Sequence, residues 1–112
     1  MITYEENTIT FNGSVPHELP HLILDLIEVD DDAVVLFHPD AGLGMSEQFR
    51  NICRYSPHGV KVWECELPTD KRMDAYYQMS PCGSGIKAQS VCSYDCILDK
   101  HSGVIVEKEF YK

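Results

Sequence analysis

This sequence is short of positive charge. Nine Lys and Arg stand against eighteen Asp and Glu in 112 residues, a net charge of −9 with histidine neutral. Nucleic-acid backbones are held by Lys and Arg that displace counterions, so the deficit argues against DNA or RNA as a partner. Long apolar runs are also missing, since none approaches the roughly 20 residues of a membrane-spanning helix. The opening segment MITYEENTIT carries acids where a secretory signal would carry Lys or Arg, and no apolar stretch follows it. A cytoplasmic protein with no membrane partner is the expectation.

Signatures of catalysis are absent as well. The chain has no Gly-x-Ser-x-Gly elbow, no phosphate-binding glycine loop and no His-Glu-x-x-His segment. Its five cysteines (Cys53, Cys65, Cys82, Cys92 and Cys96) include no Cys-x-x-Cys pair. In a reducing compartment they read as free thiols, buried as small hydrophobes. Two arrangements keep chemistry open as the alternative: a small enzyme, or a cofactor- or metal-binding module. In PCGSG, Cys82 becomes a nucleophile if one of His17, His21, His38, His58 or His101 lies beside it. In CSYDC, Cys92 and Cys96 with His101 make a possible zinc set, without the knuckle spacing. Asp30, Asp31, Asp32 and Asp40 lack the alternating ligands, Gly and closing Glu of a calcium loop. The reading assigns no cofactor, no metal and no catalytic residue.

Present throughout are short apolar runs broken by turn residues. TITFNGS alternates around Ile9 and Phe11 and reaches Asn12-Gly13, a pair suited to the positive φ angles of a tight turn. LILDLIEV and AVVLFH flank Asp30-Asp31-Asp32. The first fits either a strand or a helical stripe over residues 19–28, and Pro20 and its β-branched residues favour the strand. HPDAGLGMSEQF is a loop, with one helical turn expected at 46–50. NICRY and VKVWECEL pair around SPHG, AYYQM makes a short strand, and IKAQSVCSY, CILD and VIVEKEFY follow. The expectation is one all-β domain over 1–112. It is an antiparallel meander of about eight to ten short strands, with blade-like hairpins forming a twisted sheet pair or a partly closed barrel.

NICRYSPHGVKVW (51–63) echoes DCILDKHSGVIVE (95–107): Gly59 falls on Gly103, Val60 on Val104 and Val62 on Val106, a period of 44. The stretch resembles the repeat of quinoprotein-type β-propellers, whose motif runs Ala-x-Asp-x-x-Thr-Gly-x-x-x-Trp. Trp63 stands four after Gly59 and Asp99 four before Gly103, as in that motif. The first copy has Cys53 and Tyr55 at the Ala and Asp positions, and the second has Ile97, Ser102 and Glu107 at the Ala, Thr and Trp positions. The resemblance implies blade-like packing with Trp63 docked in a core, without a quinone and without the four or more blades of a closed propeller.

The chain as a whole, through FNG, NICRY, GVKVWE, HSGVIVE and FYK, resembles small bacterial immunity-type proteins encoded beside secreted toxins. That resemblance implies a non-enzymatic immunity protein and supplies no site residues; the net charge of −9 makes a basic, nuclease-type toxin domain the expected partner, blocked at its site. On this reading Glu5, Glu6, Asp30, Asp31 and Asp32 meet the toxin's basic residues, and Tyr76 or Tyr77 anchors the contact. Pairing of sheet edges leaves a homo-oligomer open.

Overall fold

A computed structural model describes residues 1–111; Lys112, the last residue of FYK, lies outside the described residues. Eleven strands form three antiparallel sheets, none closed into a barrel. Sheet A holds β1 (Ile2–Glu5), β2 (Thr8–Phe11) and β3 (His17–Glu18). Sheet B is the meander β4 (Ile23–Val29), β5 (Asp32–Phe37), β6 (Ile52–Tyr55) and β7 (Lys61–Glu64). Sheet C is a second meander, β8 (Tyr76–Cys82), β9 (Gly85–Ser90), β10 (Tyr94–Asp99) and β11 (Ile105–Phe110).

The all-β reading holds, and residues 23–29 are strand. The hairpin at Glu6-Asn7 adds β1, which the alternation of TITF alone does not announce. The one helical turn among the described residues is 3-10 and lies at Pro39–Gly42, where Pro39 sets the first turn, and not at 46–50. Asn12 and Gly13 both take positive φ (46° and 79°), as the Asn-Gly pair predicts.

Sheet B lies between the other two, and its side chains alternate between two cores. Val34, Leu36, Ile52 and Trp63 pack with Met79, Ile86, Ala88, Cys96 and Leu98 of sheet C. Ala33, Val35, Phe37, Cys53 and Tyr55 pack with Ile2, Ile9 and Phe11 of sheet A. This explains why AVVLF is continuously apolar: β5 is buried on both faces.

Sheets B and C are the same meander twice. In both, the first ladder slips at its second rung, between Ile23 and Asp25 in sheet B and between Tyr76 and Gln78 in sheet C. In both, the last ladder slips again, between Arg54 and Tyr55 and between Ile97 and Leu98. The rung Arg54–Trp63 matches Ile97–Glu107, and Cys53–Glu64 matches Cys96–Lys108. Ser56 accepts the N–H groups of His58 and Val60, as Asp99 accepts that of His101. The residue in the Asp99 position is therefore Ser56 rather than Tyr55, because the first turn is one residue shorter.

Each sheet docks a ring on the glycine turn of the next. Trp63 is so close to Gly103 that a Cβ there would stand 2.4 Å from Trp63 Cε3. Its indole N–H donates to the Lys100 carbonyl at 3.1 Å. One layer earlier His17 lies against Gly59, where a Cβ would stand 2.7 Å from Nδ1, and His17 Nε2 lies 3.2 Å from the Pro57 carbonyl oxygen. Both glycines have positive φ (76° and 78°).

Gly103→Ala combines an unfavourable φ with backbone displacement against Trp63. It is expected to lower unfolding free energy by about 2–4 kcal/mol in urea titrations. Gly83→Ala, with positive φ but open space around it, should cost about 1 kcal/mol. Equal losses at the two positions would remove the docking contact as the cause.

Candidate binding surface

Placement of the anticipated residues follows from the strand directions. Asp30 and Asp31 form the β4–β5 turn at the same end of the sheets as the 56–60 and 100–103 turns. Glu6 sits at the opposite end, where its carbonyl accepts the N–H of Ile23. The seven residues of β4 separate the two groups by about 20 Å. Glu5 and Glu6 thus do not share a face with Asp30–Asp32, as a single acidic docking face would require.

Asp32 is not a free acid. Its carboxylate accepts Arg54 Nε at 2.8 Å, and only 19% of its side chain is exposed. Arg54 also donates to the Lys100 carbonyl at 2.9 Å and approaches the exposed Asp30 at 3.7 Å. One arm of the Asp triplet is a structural clamp between sheets B and C; Asp31 remains exposed at the tip.

Tyr76 is also misplaced as an anchor. It is fully buried, and its hydroxyl donates to the Glu66 carbonyl at 2.7 Å. Asn51, itself buried, holds the Tyr76 backbone through both its amide oxygen and its amide nitrogen. Tyr77, the residue the β8 bulge leaves without a ladder partner, is 39% exposed and meets the Tyr111 hydroxyl at 2.8 Å. That hydrogen bond, with a little burial, pushes Tyr111 up to about 12.

The chemical alternatives do not assemble. Cys92 and His101 lie in turns at opposite ends of β10, about 20 Å apart along the strand. Cys96, between them, faces the core and is fully buried. No group of three His, Cys, Asp or Glu suited to a metal occurs among the described residues. Cys82 is exposed at the end of β8, whereas His17 packs on the 56–59 turn and His21 packs edge-on against Phe37 and Phe49. Burial pushes the Cys53 thiol up to about 12, and burial also raises Cys65 and Cys96. Burial and then the Asp74 carboxylate raise Cys92. These are thiols held protonated, unlike nucleophilic cysteines, whose values are lowered.

Two features escaped the sequence reading. The β5–β6 connection, residues 38–51, is eleven residues longer than its β9–β10 counterpart, residues 91–93. It is pinned by Gln48, whose amide donates to the Thr69 and Lys71 carbonyls, and by Arg72, which donates to the Met45 carbonyl. Between this loop and the β6–β7 hairpin lies a cleft of about 400 Å³ whose lining includes His21, Phe49, Arg50, Tyr55 and Lys61. The mouth is nearly neutral, since Lys61 pairs with Glu64 at 3.0 Å and Glu47 stands beside Arg50 in the lining.

The second feature is the outer face of sheet C. Ladder pairing aligns Gln78, Gln89, Asp95 and Glu109 in one row, and Ser80, Lys87, Ile97 and Glu107 in the next. The alternate residues Met79, Ala88 and Cys96 face the core, so these rows face away from it. Alternation of Asp95, Ile97 and Asp99 with Cys96 and Leu98 was the available signal, together with Glu107 at the Trp position of the echo.

Fold and surface together define an all-β protein of three stacked antiparallel sheets, with an acidic outer face on sheet C. The chain belongs to the family described as Domain of unknown function (DUF7957), whose model matches residues 1–110. No curated protein and no solved structure matched it. No helix among the described residues is long and apolar enough to cross a membrane.

Buried thiols make stability fall with alkali. Cys53 keeps its proton in the folded state to about pH 12, while the unfolded chain releases it near the ordinary value of 9.0. Stability is therefore full below about pH 9 and declines above it, by up to ~1.4 kcal/mol per pH unit for each fully buried thiol. Thermal melts from pH 7 to pH 10.5 should show the decline, lessened in Cys53→Ala relative to its own value at neutral pH. An unchanged slope in that variant would rule out Cys53 as a contributor.

Proposed function

We propose that this chain is a non-catalytic binding protein that captures a basic protein domain in the cytoplasm. Most concretely, it is an immunity protein that blocks a nuclease-type toxin. The observation that carries the reading is the weak internal neutralisation of its charge. Among the described residues only Asp30, Asp32 and Glu64 enter ion pairs, against eighteen acids in the chain. Unpaired carboxylates on a body of net charge −9 make a negative field that steers cations toward it over roughly one Debye length.

A nuclease presents Lys and Arg to hold its substrate's phosphates, so an acidic surface of matching shape competes for the same groups. The protonated, mostly buried thiols and the separation of Cys92 from His101 support binding over chemistry. The resemblance to toxin-neighbour immunity proteins supplies the particular partner class.

The test is co-expression with the basic toxin domain encoded in the adjacent reading frame, joined to affinity measurements on the purified pair. Protection of the host cell is expected. The Kd should weaken by about tenfold or more between ~0.05 M and ~0.3 M salt, because the attraction is screened. Growth arrest despite co-expression, or a salt-independent Kd, would overturn the reading.

A further inference from the structure

The acids anticipated at the Asp30–Asp32 tip are partly committed to Arg54, so the capture surface has to be sought elsewhere. Sheets B and C offer a comparison within one molecule. On β6, β7 and the residue that follows β7, Ile52, Arg54, Trp63 and Cys65 point toward sheet C and are buried against it. The positions equivalent to these in the second meander are Asp95, Ile97, Glu107 and Glu109. They occupy the face that would receive a fourth sheet, where Glu107 and Glu109 are exposed and Asp95 and Ile97 half-buried. Three of the four substitutions turn the position into a carboxylate: Ile to Asp, Trp to Glu and Cys to Glu.

Among the described residues, Asp95, Glu107 and Glu109 enter no ion pair. Asp95 and Glu109 stand directly opposite one another on adjacent strands, an arrangement that weakens a free sheet. Asp95 Oδ1 is shielded from water and has no hydrogen-bond partner among the described residues. Lys87 is the one cation in these rows. Lys108 is turned to the other face, where it donates to the Pro68 carbonyl at 3.0 Å and lies over the Tyr94 ring. The exposed Tyr77–Tyr111 pair closes the end of the sheet beyond this row.

We infer that the outer face of sheet C, centred on Asp95, Glu107 and Glu109, is the docking surface for the basic partner. It receives Lys or Arg side chains in place of another blade's apolar face. The inference rests on the capture reading above and adds the surface to it. A cation inserted between Asp95 and Glu109 relieves their repulsion. The like-charge rung thereby becomes favourable only in the complex.

The experiment titrates an oligo-arginine peptide, at low ionic strength, into the isotope-labelled full chain while backbone amide shifts are followed. Shift changes are expected to concentrate at Gln89, Asp95, Ile97, Glu107 and Glu109. Glu109→Lys should melt at or above the wild-type temperature, since it replaces a like-charge rung with an opposite-charge one. The same variant should bind the peptide at least tenfold more weakly. Asp30→Asn with Asp31→Asn should change affinity less than twofold.

Changes concentrated at Asp30–Asp31 or Glu5–Glu6, or full affinity in a stable Glu109→Lys variant, would overturn the surface and leave the capture reading standing. A Glu109→Lys variant that melts well below wild type would also overturn it, by giving Glu109 a structural role. Absence of any peptide binding by the wild type would remove the capture reading and the surface together.

Discussion

The carbonyl of Lys100 is the point on which the two large sheets agree. It accepts the indole N–H of Trp63 and a guanidinium N–H of Arg54, both from sheet B. Arg54 is charged and 8% exposed, so it needs Asp32 beside it; without that carboxylate a cation would be stranded in the seam. Gly103, three residues along the same turn, has no side chain because the Trp63 ring occupies that space. Turn shape, ring and ion pair therefore fix one relative placement of sheets B and C.

The same device in a weaker form joins sheets A and B. An imidazole replaces the indole, and a single contact to the Pro57 carbonyl replaces the paired donors. A stack built this way has an intrinsic direction, with each layer presenting a ring to the glycine turn of the next. The direction ends at sheet C, where Glu107 stands in the place of a ring. A carboxylate cannot seat on an apolar turn without losing its hydration, so the stack stops there and the last face stays open to water.

Repetition also shows where the chain does more than the fold needs. The second meander joins its middle strands with a turn, whereas the first uses the long connection 38–51. That loop adds Phe49 to the core shared with sheet A and forms a wall of the cleft beside Tyr55 and Lys61. It is also where a helical turn was expected at 46–50, close to β6, and Pro39 drew the turn to the beginning instead. Local pattern assigns such a segment to a loop; which of its residues pack is settled by what lies beneath it.

The sequence by itself determined the elements: alternation, glycine-ended turns and the absence of long helical stripes suffice for antiparallel hairpins. It also determined the negative charge and, through the echo of 51–63 in 95–107, that one hairpin is used twice. Tertiary structure decided which residues are available. Tyr76 and Tyr77 are neighbours with the same chemistry, yet one is buried between sheets B and C and the other is exposed. Asp30, Asp31 and Asp32 are consecutive, yet Arg54 draws Asp32 into the seam, reaches Asp30 only at its exposed edge and leaves Asp31 at the tip. Glu5 and Glu6 look like further members of that acidic group and lie at the other end of the sheets. The physical reason is common to all three cases. Secondary structure depends on near neighbours along the chain, whereas exposure and pairing depend on which sheet lies opposite, a long-range property that no local pattern encodes.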